Sequence, residues 1–145
     1  FTPISVATVI TGAVDVCRQG IDRNVCIRYE PDHNLPKISA SESQMRQVLM
    51  NVLLNAHDAG ARQIDITAQQ DGDGIIIEVT DDGEGIGEEI KTEIFNPFFS
   101  TKPVGHGTGL GLSTSYAIVK SHSGDITFTS TPGEGSVFTI RLPID

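Results

Sequence analysis

Positive charge is scarce in this sequence: ten Lys and Arg stand against 19 Asp and Glu, a formal net charge of −9. That balance argues against duplex nucleic acid as a partner, since phosphate contacts need Lys and Arg. It also makes any anionic ligand dependent on a few local cations or a metal ion. Long apolar runs are missing too. Nothing approaches the roughly 20 residues of a membrane span, so this domain is expected to make no membrane contact. No basic-then-apolar leader opens the chain. There are only two cysteines, Cys17 and Cys26, without metal-ligand spacing. They are expected to be reduced, partly buried fillers in a cytoplasmic protein.

Two familiar phosphate-binding signatures are also absent. No glycine is followed by Lys, which removes the P-loop. Around Gly107 the G-x-G-x-x-G spacing fails at Leu110, and the run follows Lys102–Pro103 instead of a strand. Yet Gly105, Gly107, Gly109 and Gly111 crowd ahead of an amphipathic stretch. Glycine that dense before a helix suggests close backbone approach to an anion.

The length of 145 residues suits one compact domain, taken as residues 1–145. The opening "FTPISVATVI" has no Met and turns apolar at once, so an excised domain is expected, with earlier residues missing. Residues 4–19 place Val6, Val9, Ile10, Ala13, Val14 and Cys17 at helical intervals, with Gly20 as a stop. Val25, Ile27 and Tyr29 alternate as in a strand, and a short extended piece follows a loop. Ser41 with Gln44 forms a capping box that opens a helix to about Ala59, ended by Gly60. Ile64 and Ile66, a "DGDG" turn and "IIIEVTD" predict a hairpin. A short helical stretch to about Phe95, an irregular segment, a helix over 110–122 and a second hairpin turning at Pro132–Gly135 complete the chain. Hairpins beside separate helices predict an α/β (α+β) two-layer sandwich with a mixed sheet.

Three constellations carry chemistry. On the capped helix, Met45, Val48, Leu49, Val52 and Ala56 form an apolar stripe, and Asn51, Asn55 and Asp58 form a polar one. Two mid-helix Asn residues fit either solvated or capping amides, or carboxamide oxygens facing a hard cation such as Mg²⁺. In "VTDDGEGIGEE", strand residues lead into Asp81, then Gly83 and Gly85. A carboxylate fixed at a strand end can accept from the adenine amine and would repel the oxygen of guanine. The other reading, an acidic turn or calcium loop, lacks the Glu at its twelfth position, where Thr92 stands. In "NPFFSTKPVGHGTGLGL", Lys102 is the one cation between Lys91 and Lys120 and the natural candidate for the terminal phosphates. Gly107, Thr108, Gly109, Leu110 and Gly111 would offer backbone N–H groups at a helix start. Gly105, His106 and Gly107 would belong to a closing lid, with Phe95, Phe98 and Phe99 in the core or as its anchors.

In order, "NVLLNAHDA", "DDGEGI", "IFNPFF" and "GTGLGLS" resemble the four boxes of the ATP-binding catalytic domain of two-component sensor histidine kinases. The "GHGTGLGLSTSYAIVKSHSG" run looks most like the nitrogen-regulator-type branch. The resemblance implies the Bergerat fold, a mixed sheet of about five strands on three helices, shared with gyrase, mismatch-repair and heat-shock chaperone ATPases. It implies ATP and Mg²⁺ as cofactors. Asn55 would coordinate Mg²⁺, Asn51 support the triphosphate side and Asp81 bind the adenine amine, with Gly83, Gly85 and Ile86 lining the base. Phe95 and Phe98 would anchor the lid, and Gly107, Gly109 and Gly111 would cradle the phosphates. Asp58 joins the nucleotide-binding set, although many members carry Lys or Arg there, and Lys102 would substitute for that contact.

Gyrase-like relatives place a water-activating Glu four residues before the metal Asn. Here that residue is Asn51, and a neutral carboxamide cannot be that base. The γ-phosphate would then be held for a histidine on a separate domain N-terminal to this one. His33, His57, His106 and His122 all lack the His-(Glu/Asp)-x-x-x-Pro setting of an acceptor. The implied partners are that acceptor domain and a cognate response regulator. The full-length protein is expected to be a homodimer and this domain alone a monomer.

Overall fold

The computed structural model describes residues 1–20, 25–32, 34–58, 60–83, 111–131 and 133–144. Of the expected site residues, Gly85, Ile86, Phe95, Phe98, Phe99, Lys102, Gly105, His106, Gly107, Thr108, Gly109 and Leu110, with the short helical stretch expected up to Phe95, lie outside the described residues.

Period-two patterning builds the sheet. Ile64 and Ile66, then Ile75, Ile77 and Val79, then Phe138, Ile140 and Leu142 are all buried. Their neighbours in sequence, such as Thr67, Glu78 and Thr139, are exposed or half-buried, as expected of a sheet with one face covered. The strands are β1 (Thr2–Ile4), β2 (Cys26–Tyr29), β3 (Ile38–Ala40), β4 (Gln63–Asp71), β5 (Gly74–Asp81), β6 (Asp125–Thr131) and β7 (Gly135–Pro143). A five-stranded mixed sheet has the order β2-β4-β5-β7-β6; β2 and β4 are parallel and the remaining neighbours antiparallel. Among the described residues the helices are α1 (Val6–Gly20), α2 (Glu42–Asp58) and α3 (Gly111–Ser121). The predicted α/β two-layer sandwich is therefore the observed fold.

The capped helix packs as its stripe requires. Met45, Val48, Leu49, Val52 and Ala56 are at most 5% exposed, and Leu53 joins them at 1%. Each of the larger side chains contributes about 1.5–3 kcal/mol relative to exposure. Gly60 has φ +82°, and the pair Ala61 N–H to Ala56 O (3.1 Å) and Gly60 N–H to His57 O (3.0 Å) is a Schellman closure.

Three details differ from the sequence expectation. The first helix begins at Val6, because Thr2–Ile4 form a strand paired antiparallel with β3. Cys26 is exposed, not a filler: the alternation that buries Ile27 turns Cys26 and Arg28 outward, while Cys17 is buried as expected. The capping box is half made. Gln44 N–H donates to Ser41 Oγ (3.4 Å), but the Ser41 N–H is taken by His122 Nε2 (3.1 Å) instead of the Gln44 side chain.

Candidate functional site

The inner face of the sheet changes character at one end. In β5 the buried positions run Ile75, Ile77, Val79 and then Asp81, so strict alternation carries a carboxylate onto the core face, 6% exposed. Asp81 lies opposite Ile64 on β4 and Ser136 on β7, and Ser136 lies opposite Ser130 on β6. Asp81, Ser136 and Ser130 thus form a polar row closing an otherwise apolar face. The two serine hydroxyls are 2.9 Å apart, and Ser130 Oγ also donates to Gly135 O (3.0 Å).

Asp81 Oδ1 accepts the Gly83 N–H at 2.9 Å, which fixes the carboxylate where the strand ends. Burial pushes its pKa above the ordinary carboxylate value, the nearby Asp82 charge adds to this, and N–H groups of Gly83 and Ser136 pull it down. Asp82 does a different job. Its Oδ1 accepts from Arg62 N–H (2.8 Å) and Gln63 N–H (3.0 Å), which ties the end of β5 to the start of β4, and these bonds hold its carboxyl below the ordinary value.

Those contacts bring the polar row to the end of α2. Gln63 follows Asp58 by five residues, so the C-terminal turn of α2, with Asn55 one step back, lies at the Asp81 end of the sheet. The third component arrives through α3. Ser41 at the start of α2 meets His122 beyond the end of α3, and Asn51 Nδ2 donates to Ser115 Oγ (3.2 Å). The two helices are therefore antiparallel. The same antiparallel packing runs the second half of α2, with Asn55, toward the head of α3 at Gly111. Asn51 and Asn55 are half-buried. Asp81, Gly83, Asn51, Asn55 and Gly111 thus gather at one end of the sandwich, where the N–H groups of α3's first turn favour an anion. The backbone of Asp58 closes α2 there as well.

His122 is 6% exposed and held by both ring nitrogens: Nε2 accepts from Ser41 N–H, and Nδ1 donates to Ile118 O at 2.8 Å. That fits its sequence reading as a helix-end residue. Sequence reasoning did not find Ser115, Ser130 and Ser136. The inward parity of Ser136 on β7 was the available signal for it, as the same parity was for Asp81. Among the described residues no group of three or more His, Cys, Asp and Glu could hold a metal. No described helix is long and apolar enough to cross a membrane.

Comparison with known proteins agrees with this fold. Residues 40–145 match the family described as histidine kinase-, DNA gyrase B-, and HSP90-like ATPase. The sensor histidine kinase ZraS of Escherichia coli is 37% identical over 145 residues, covering 98% of this chain and 31% of that protein. The signal transduction histidine-protein kinase AtoS of Escherichia coli is 42% identical over 129 residues, 87% of this chain and 21% of its own. The chain therefore spans about a third or less of these curated relatives. Among solved structures, the nucleotide-free catalytic domain of histidine kinase ThkA superposes with a TM-score of 0.86 at 31% identity, covering 99% of this chain and 95% of that one. Full-length ShkA in complex with AMPPNP gives a TM-score of 0.85 at 25% identity, covering 98% of this chain and 30% of that one.

Proposed function

The chain belongs to the histidine kinase-, DNA gyrase B-, and HSP90-like ATPase family, and on that premise we propose that it is the ATP-binding catalytic domain of a two-component sensor histidine kinase of the nitrogen-regulator type. It binds Mg-ATP and presents the γ-phosphate to a histidine on a separate acceptor domain, from which a response regulator is served. The observation that carries this reading is Asp81, a carboxylate placed on the core face at a strand end. Burying it without a ligand partner costs stability. An adenine amine donating to it recovers part of that cost and is favoured over the guanine oxygen.

The donors at hand suit Mg²⁺. Asn55 offers a neutral carboxamide oxygen and there is no all-protein carboxylate cage among the described residues, matching a cation that keeps waters and phosphate oxygens. When bound, it would neutralise phosphate charge. The chain's own residues do the rest. Asp81 orients the base, Gly83 leaves room beside it, and the N–H groups at the head of α3 hold phosphate oxygens. The lid residues, with Lys102, Phe98 and the glycines from Gly105 to Gly109, would close over the triphosphate. Asn51 cannot take a proton from water, so hydrolysis is slow and in-line attack by a neutral imidazole is the productive outcome.

The test mixes this domain with a phosphoacceptor helical hairpin and ATP labelled on the γ-phosphate. Acid-labile, base-stable label on the hairpin is expected. Acid-stable label would mean a serine acceptor, and steady ATP turnover by the domain alone would mean a gyrase-type switch.

A further inference from the structure

The β4–β5 ladder runs from Asp71 opposite Gly74 to Ile64 opposite Asp81. Asp81 is thus the last paired residue of β5, and the end of a ladder is where strands open first. Yet this end holds a carboxylate on the core face. Beyond it the backbone adds one longer bond, from Asp82 N–H to Gln63 O at 3.3 Å. The shorter contacts come from a side chain. Asp82 Oδ1 accepts the N–H groups of both Arg62 (2.8 Å) and Gln63 (3.0 Å). Those N–H groups, Gln63 first, hold its carboxyl below the ordinary value, so at neutral pH it is ionised and only accepts. The direction of both bonds is therefore fixed. Strand parity turns Asp82 outward, away from the face that holds Asp81. Its like charge opposes ionisation of Asp81. What Asp82 contributes to the site therefore comes from the tie and not from its charge.

We propose that Asp82 is a positioning residue that holds Asp81 in place to accept adenine, by extending the β4–β5 ladder past its last backbone pair. The proposal rests on the function proposed above. The chain of contacts is short. Asp82 is pinned to the start of β4 through its own N–H and through its carboxylate. The next N–H along the chain, that of Gly83, bonds Asp81 Oδ1 at 2.9 Å. Pinning residue 82 therefore fixes the donor that fixes the Asp81 carboxylate. Releasing it lets the Gly83 N–H move, and Asp81 loses its set orientation at the strand end.

Calorimetric titration of Mg-ATP and Mg-GTP into the 145-residue chain, together with amide hydrogen exchange, tests this. Asp82→Ala removes the tie, and because the side chain is exposed the buried core is left intact. It is expected to weaken Mg-ATP binding roughly three- to tenfold, the worth of one hydrogen bond. Mg-GTP binding should not change, since the loss acts through the adenine contact alone. Exchange at the Arg62, Gln63 and Gly83 amides should quicken, while amides in the middle of β5 keep the parent rate. Asp82→Asn keeps an oxygen acceptor without the charge and should restore most of both readouts. Equal Mg-ATP affinity in the parent and Asp82→Ala overturns the proposal. So does a parallel loss of ATP and GTP binding, which would mark general loosening of the domain. An Asp82→Asn variant as weak as Asp82→Ala overturns it too, because the charge and not the tie would then matter. A parent chain that binds no Mg-ATP overturns the proposed function itself, and this inference with it.

Discussion

In the proposed site, Asp81 would carry both a stability cost and a ligand preference. Its pKa is raised in the folded chain, chiefly by burial. The sign follows from linkage: a raised carboxyl contributes stability that is fully present below the unfolded value, about 3.9, and is lost as pH rises through the folded value. The proposed adenine contact would run the other way, since the amine needs the ionised carboxylate as acceptor. Adenosine affinity is therefore expected to fall on acidification, starting above the ordinary carboxylate range, while the contribution of Asp81 to apo stability rises. Calorimetric titration of adenosine from pH 7.5 down through the ordinary carboxylate range, to about pH 4, checks this. A flat profile would show that the base does not bind against Asp81. The residue itself was legible in the sequence, because a strand read by alternation must put position 81 on the face that holds Ile77 and Val79. Ser115 was not legible, since a helical serine declares no partner until α2 and α3 are placed side by side.

At the level of elements, the site depends on a hairpin that crowds the end of β5. Gly135 has φ +108°, and a Cβ there would overlap the Asp81 carbonyl oxygen. Gly135→Ala is thus expected to destabilise the domain by at least about 2 kcal/mol, through backbone strain and this overlap together. Urea unfolding with an unchanged m-value would read it out. A loss within about 0.5 kcal/mol would show that the turn relaxes freely. The two long hairpins and the capped helix were readable because each has a strong period and a marked end, as at Ser41 and Gly60. β1 was not. Three residues give too short a pattern to separate from the helix that follows, and only pairing with β3 defines it. The outward turn of Cys26 followed from strand parity, against the general tendency of free cysteine to be buried.

Across the whole molecule, the fold was legible because a two-layer sandwich needs little beyond alternation, helical stripes and turn residues. The site was harder to read. Its parts lie at residues 51–55, 81–83 and 111–115, and are brought together by the parity of β5, the Asp82 tie to β4 and the antiparallel packing of α2 on α3. A net charge of −9 makes long-range attraction of ATP unfavourable. In the proposed site, affinity would then come from local donors, metal and the adenine contact, with the adenine contact the most selective of these. The decisive measurement is calorimetric titration of Mg-ATP and Mg-GTP into the parent chain and Asp81→Asn, with thermal melting as the control for folding. The proposed adenine contact predicts that the parent prefers ATP, that Asp81→Asn loses roughly tenfold to a hundredfold in ATP affinity, as expected for a hydrogen bond to a charged group, and that its preference over GTP shrinks. A folded Asp81→Asn variant that binds ATP as tightly and as selectively as the parent would contradict it.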